Sequence, residues 1–455
     1  MPIAPAHLEK PGGAEPPFIP FAEYLARAAD FDYIVEEWFA TGMDEHGRSY
    51  KTQVVIRRPR DPARFSGTVI VESLHIHRIA PLYMYCTPYI LRSGHAWACV
   101  VSQKTALDVH VKPTAPDHYA SLHIGANPAP PPPGAPADLV TPPFKDNDKQ
   151  LRLAWLNELA RFNDASPTIL AQVGAALRQP TGPLAGYGVR HLVLGGHSQT
   201  GFVTTNYFLN AHATQRLADG APIYDGLFPS GFPANAFGPC DVPIVQLMSD
   251  GDVSNPNFTF QPGYEGRKYR RPDNDASGDR FRLYELAGVS HAGTRHPAVS
   301  DPHMWQDVAT AIPIPLDSKM NSLPHHELFS MALDHLIRWV AEGKTPPRAP
   351  RIDVGTDGFF AKDEHGNSTG GVRCVQLDVP RAKYYPNPLL ADGTPSYGTV
   401  ATEEAFDSAK MQKLYGTPAQ YVARFNARLD ELISQGWFLA GDAEGMRAEA
   451  QAQQW

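Results

Sequence analysis

The sequence is short of cysteine, of long apolar runs and of excess positive charge, and each shortage closes off a class of protein. Only four cysteines occur, Cys86, Cys99, Cys240 and Cys374, with no CxxC pair among them. That argues against both a disulfide framework and a cysteine zinc cluster. No stretch is long and apolar enough to span a bilayer. Residues 1–13 lack the basic run followed by an apolar segment that marks a secretory signal. The expected setting is the cytoplasm, without membrane association. Lys and Arg total 40 against 48 Asp and Glu, a formal charge of −8, so the chain has no general attraction for nucleic acid.

What is present suits a folded enzyme. Hydrophobic residues make up 42% and aromatics 10%, enough for a sizeable core. At 455 residues the chain holds either two domains or one large domain with insertions. Its 18 histidines are many, so a metal site has to be weighed.

Apolar, β-branched runs at 50–57, 67–72 and 95–102 predict strands, the first two as neighbours in one sheet. Prolines crowd residues 112–143, which excludes regular helix or central strand. This segment either walls a substrate cleft or forms a rigid polyproline-like surface loop. Helical spacing over 149–178 predicts two helices, and 191–194 with Gly195, Gly196 and the helical stretch 200–212 predicts strand, tight turn, helix. Further strands are expected at 242–248 and 282–286. An amphipathic helix is expected at 328–342, stopped by Gly343 and Pro346-Pro347, and a last helix at 417–435 in an irregular tail. Alternating strands and helices predict an α/β fold, a mostly parallel central sheet with helices on both faces.

The chemistry concentrates at Gly196-His197-Ser198-Gln199-Thr200-Gly201, where the strand turns into the helix. In that context a G-x-S-x-G-type match reads as a nucleophile elbow. The residues two before and two after the serine must be small; Gly196 is, Thr200 only partly. The following helix aims its first N–H groups at the site, which makes the Gln199 N–H one oxyanion donor. A serine hydroxyl needs a base oriented by a carboxylate. Asp252 follows one predicted strand and His291 another, giving the order Ser, Asp, His of this hydrolase type. Asp250 is the alternative acid and His296 the alternative histidine. The second oxyanion donor is expected in the loop Ser73-Leu74-His75-Ile76-His77, from the N–H of Leu74 or His75.

These phrases resemble the α/β-hydrolase superfamily, specifically the bacterial "alpha/beta hydrolase domain-containing" branch. The resemblance runs from about residue 30 to 440 through Gly67–Glu72, Gly94-His95-Ala96-Trp97, Val101-Ser102-Gln103-Lys104, the Ser198-Gln199 elbow and Tyr224-Asp225-Gly226. It continues through Glu285-Leu286-Ala287-Gly288, Arg338-Trp339, Gly366-Asn367, Gly370-Gly371-Val372-Arg373 and the tail from Tyr421 to Trp437. It implies a serine hydrolase with no metal or organic cofactor, with nucleophile and histidine at Ser198 and His291. It names no substrate. Members usually carry Trp and Asn in the loop where this chain has Ser73, His75 and His77, and the Pro-rich excursion here is unusually long.

The expected organisation is an N-terminal extension (1–30), an α/β-hydrolase core (31–350) with cleft-covering insertions at about 105–148 and 255–280, and a helical C-terminal extension packed on the core (351–455). The expected reaction is hydrolysis of a carboxylic ester or lactone through an acyl-enzyme, with thioesterase or acyltransferase chemistry as variants. His75 and His77 imitate the His-x-His of zinc amidohydrolases, and His325, His326 and Glu327 lie together, but a metal reading leaves the elbow unexplained. A degenerate hydrolase kept as a binding protein is the non-enzyme alternative. His197, His77, Tyr83 and Tyr85 are expected to line the pocket. Tyr89, Phe258, Phe260 and Tyr264 add to an aromatic density that either favours an apolar or aromatic substrate or simply packs insertions on the core. The expected partner is a small-molecule ester, with a homo-oligomer left open.

Overall fold

The computed structural model describes residues 2–12, 18, 28–130, 139, 149–232, 237–254, 270–293, 319–355, 360–387 and 400–455. A nine-stranded sheet organises them. Its strands are β1 (His7–Glu9), β2 (Tyr33–Met43), β3 (Ser49–Pro59), β4 (Thr68–Ser73), β5 (Ala96–Val100), β6 (His191–His197), β7 (Gly226–Ser230), β8 (Ile244–Ser249) and β9 (Phe281–Leu286). The order is β1-β2-β3-β5-β4-β6-β7-β8-β9. From β5 to β9 every pair is parallel, while β1, β2 and β3 form an antiparallel flank.

Strands β4 to β9 are near-continuously buried because helices cover both faces, which is why they read as apolar runs without alternation. Successive residues of β6 show the two layers. A Cβ on Gly195 would meet Leu82 of helix α1 (Pro81–Arg92) at 2.6 Å. A Cβ on Gly196 would meet Thr200, at the start of the helix that follows Ser198. The other long helices are α2 (Lys149–Phe162), α3 (Ser166–Leu177), α4 (Gln199–Tyr207), α5 (His325–Glu342), α6 (Ser408–Tyr415), α7 (Pro418–Ser434) and α8 (Ala443–Gln451). Helix α5 ends where Gly343 adopts φ 67°, and α7 begins with a capping box between Thr417 and Gln420. Among the described residues no helix is long and apolar enough to cross a membrane.

Several expectations need correction. Strands β3 and β4 are not neighbours: β5 lies between them, antiparallel to the first and parallel to the second. The N-terminal segment is not merely an extension, because β1 pairs with β2 and lengthens the sheet. The helix at 418–434 is not the last, since α8 follows it. The tail is built into the core. Val372 N–H donates to Glu285 O at 2.7 Å, Ala287 N–H to Val372 O at 3.1 Å, and Tyr421, Phe425 and Leu429 join the main apolar cluster. The described part of the Pro-rich excursion is held to β3 by paired Lys51 and His123. Residues 131–138 and 140–148 lie outside the described residues, as do 255–269, His296, Phe258, Phe260 and Tyr264.

Candidate active site

Strand β6 delivers Ser198 to the carboxyl edge of the parallel sheet, and the turn there is sharp: Ser198 has φ 60° and ψ −125°. A positive φ at a non-glycine residue costs about 1–3 kcal/mol and persists only where the surroundings impose it. Here the Ser198 N–H donates to Ser230 O at 2.9 Å. The Thr200 hydroxyl donates to His197 O and accepts from His197 N–H, both at 2.9 Å. Thr200 is thus a fastener of the turn rather than a poor fit. The demand for smallness falls on Gly196, whose Cβ would lie 2.3 Å from Thr200 O, and on Gly201, whose Cβ would lie 2.2 Å from Ser230 O. Gln199 opens α4, so its N–H has no carbonyl within the helix to bond.

Three side chains stand in hydrogen-bond series. His291 Nε2 is 2.8 Å from Ser198 Oγ, and His291 Nδ1 is 2.5 Å from Asp252 Oδ1. With Nδ1–H donated to the carboxylate, Nε2 is left to accept from the serine hydroxyl. The other Asp252 oxygen accepts from Ser249 N–H at 2.8 Å. Burial pushes the Asp252 pKa up, but the charge and hydrogen bond of His291, the nearby His197 and the Ser249 N–H together hold it below the ordinary value. Asp250 faces elsewhere, accepting from Gly288 N–H at 3.0 Å and from the Ser368 hydroxyl. Of the two aspartates considered, Asp252 meets the histidine.

Behind His291 lie more histidines. His197 stacks on it with ring centroids 4.6 Å apart, and the Nε2 atoms of His197 and His325 lie 3.0 and 3.2 Å from His291 O. Burial, then neighbouring imidazoles, keeps both rings well below the usual histidine pKa, so each is a neutral Nε2–H donor to that carbonyl. This corrects the expected pocket lining. His197 is buried bracing, and Tyr85 packs behind it at 5.4 Å and against His325 at 4.3 Å. Tyr83 is deeper still, between Trp97 and the Arg57 guanidinium at 4.3 and 4.6 Å. Tyr89 bonds Asp334 at 3.1 Å. These tyrosines are core. Of the expected liners, His77 alone is partly exposed.

The oxyanion loop also differs from expectation. Leu74 N–H already donates to Val100 O and His75 N–H to Ile79 O, both at 2.9 Å, so neither is free for an oxyanion. The next N–H, of Ile76, points at Gln199 Oε1 from 3.5 Å. A buried amide pair joins loop and elbow: Gln199 Nε2 donates to Gln103 Oε1 at 2.5 Å, and Gln103 Nε2 donates to Gln199 Oε1 at 3.1 Å and Leu74 O at 2.9 Å. Sequence reading gave Gln103 no role, although its place just past β5, at the sheet edge shared with Ser198, is a usable signal. Beside Gln103 opens a cavity of about 350 Å³ bordered by Asn163, Ser166, Phe202, Val203 and Asn206.

Burial, followed by the charges of His77, His197 and His291, keeps the His75 pKa well below its usual value. His75 Nδ1 accepts from His77 N–H at 3.0 Å. Among the described residues, the side chains that converge at metal-ligand spacing include neither these two histidines nor His325, His326 and Glu327.

Comparison with known proteins agrees with this architecture. A family model described as "alpha/beta hydrolase domain" matches residues 8–448. No curated protein matches the chain. Among solved structures, LpqC, a poly(3-hydroxybutyrate) depolymerase of Bordetella parapertussis, is 11% identical, with 69% of this chain and 92% of that chain covered and a TM-score of 0.33. Brefeldin A esterase, a bacterial homologue of human hormone sensitive lipase, is 11% identical, with 60% and 75% covered and a TM-score of 0.31.

Proposed function

We propose, on the premise that the chain belongs to the alpha/beta hydrolase domain family, that it is a serine-dependent hydrolase of carboxylic esters or lactones working in the cytoplasm. One observation carries this reading: the series Ser198 Oγ, His291 and Asp252, with 2.8 and 2.5 Å contacts.

In the proposed mechanism Ser198 Oγ attacks the substrate carbonyl carbon as His291 Nε2 takes the hydroxyl proton. Asp252 keeps the imidazole in the Nδ1–H tautomer and stabilises the imidazolium. The tetrahedral oxyanion receives the Gln199 N–H and, displacing the Gln199 side-chain oxygen, the Ile76 N–H; each such donor contributes about 10²–10³ in turnover. Collapse expels the alcohol, protonated by His291, and leaves an acyl-enzyme on Ser198. Water then adds, losing its proton to His291, and the acid departs. Every step uses the chain's own side chains and N–H groups.

The substrate expectation also changes. With Tyr83, Tyr85 and Tyr89 in the core, they no longer support an aromatic substrate.

A fluorophosphonate probe tests the nucleophile. Stoichiometric labelling of the folded protein, lost in Ser198→Ala together with turnover of a panel of esters and lactones, is the expected result. Turnover surviving that substitution within tenfold would refute the reading.

A further inference from the structure

At the sheet edge opposite Ser198, a second group of polar side chains converges. Helix α4 continues through a wider turn, Phe208–His212, which brings His212 to the foot of β8, where Cys240 and Asp241 precede the strand. His212 Nε2 lies 2.7 Å from Asp241 Oδ1 and 3.4 Å from Cys240 Sγ, and the three atoms lie within 4.8 Å of one another. Thiol and carboxylate meet the same ring nitrogen. A proton relay needs them on different nitrogens, as at His291, so this group is no second triad. One nitrogen, one sulfur and one oxygen around a common point form instead the donor set of a divalent transition ion.

We propose that His212, Cys240 and Asp241 bind one divalent ion of the zinc type, with water as fourth ligand. Tetrahedral zinc with the usual bond lengths puts its donor atoms about 3.3–3.6 Å apart. The sulfur–nitrogen spacing already matches. The nitrogen–oxygen spacing must open by about 0.6 Å, a small rotation for Asp241, whose side chain is 47% exposed. Arg216 Nη1 holds the other Asp241 oxygen at 2.8 Å, orienting the carboxylate from behind as metal ligands usually are. The exposed side of Asp241 gives the ion its entry and the water its place.

Burial raises the Cys240 thiol to about 11 and lowers His212, so the empty site holds a thiol and a neutral imidazole. Binding releases the thiol proton to solvent and shifts the ring proton from Nε2, where it is donated to Asp241, to Nδ1. Among the described residues that buried nitrogen has no hydrogen-bond partner, and a missing partner of this kind costs about 10–100-fold in affinity. The site is therefore an exchangeable one. It clamps the far end of the helix that begins at Ser198 to the foot of the strand that leads to Asp252.

The test uses the full chain, stripped by chelator and titrated with cobalt(II) and zinc(II). Expected are one equivalent of cobalt, a near-ultraviolet thiolate-to-cobalt band with four-coordinate visible bands, displacement by zinc, and a melting temperature that rises with zinc. Among the described residues Cys240 is the one cysteine that stands with other donors at metal-ligand spacing, so in folded protein the thiolate band reports Cys240. Cys240→Ser should abolish the band and weaken binding at least tenfold. Should that variant fail to fold, Asp241→Asn, at an exposed position, must weaken binding likewise. No equivalent bound, binding without a thiolate band, or wild-type affinity in a folded variant would overturn the proposal.

Discussion

Replacing Asp252 and Asp250 separately by Asn should have opposite consequences, and the hydrogen bonds say why. Asp252 uses both oxygens: one takes His291 Nδ1–H at 2.5 Å, the other Ser249 N–H at 2.8 Å. An asparagine offers one oxygen and one NH₂. The Ser249 donor is fixed backbone and claims the oxygen, which turns the NH₂ towards His291. The imidazole then places its proton on Nε2 and can no longer accept from Ser198 (2.8 Å). The wrong tautomer costs about 10⁴ in kcat, about 5.4 kcal/mol at 1.36 kcal/mol per decade. At Asp250, the Gly288 N–H and the Ser368 hydroxyl both bond the same oxygen, so asparagine keeps both contacts. We expect Asp250→Asn to lose less than about tenfold in kcat and about 1 kcal/mol of stability. Saturation kinetics on an activated ester, with circular dichroism and thermal melts to certify the fold, measures both. A folded Asp252→Asn with more than a tenth of wild-type kcat, or a larger collapse in folded Asp250→Asn, would refute the reasoning.

Gly201→Ala sets a Cβ 2.2 Å from Ser230 O, the carbonyl that holds Ser198 N–H. The elbow must shift, and kcat should fall by about 10² with a stability loss of about 1–3 kcal/mol; wild-type kinetics would show that the elbow tolerates the methyl. Burial lowers His95 and His335 to about 4. The folded state therefore binds fewer protons than the unfolded chain, whose histidines titrate near 6.5, and acidification through that window favours unfolding. The two cost about 3 kcal/mol between pH 6.5 and 5. Urea melts across that range should show the slope, to which the buried His75, His197 and His325 add, and His335→Gln should remove about 1.6 kcal/mol of it; an unchanged slope would remove His335 as a source.

Those parts of the fold whose residues are buried on both sides were legible as runs of sequence, which is why the regions of β3 to β6, β8 and β9 and of helices α2 to α5 and α7 were anticipated. Strand β2 was not. Its residues include Glu36, Glu37 and Trp38, partly exposed at the flank of the sheet, and local sequence carries no strong apolar signal there. The adjacency of β3 and β5 was illegible for a different reason, since pairing is set by the crossover through α1. The series Ser198, Asp252, His291 was readable because each residue follows a strand. The second oxyanion donor was not, because a backbone N–H has no side-chain signature and its availability depends on whether Val100 O or Ile79 O has already claimed it. The aromatic residues misled because a tyrosine in an amphipathic run looks the same whether it faces a cleft or a core.

Asp250 accepts from the Ser368 hydroxyl, and the Asn321 side-chain amide donates both to Gly288 O, in the loop before His291, and to Tyr385 O, each at 2.9 Å; these bonds have a consequence in time. A ribosome translating this chain has made Ser198, Asp252 and His291 well before it reaches the segment that fastens the two loops bearing the acid and the base. The nascent polypeptide carries its reactive groups with that brace still unmade. Full assembly of the site waits until Ser368 and Tyr385 have been made, so it comes in one late step rather than growing with length.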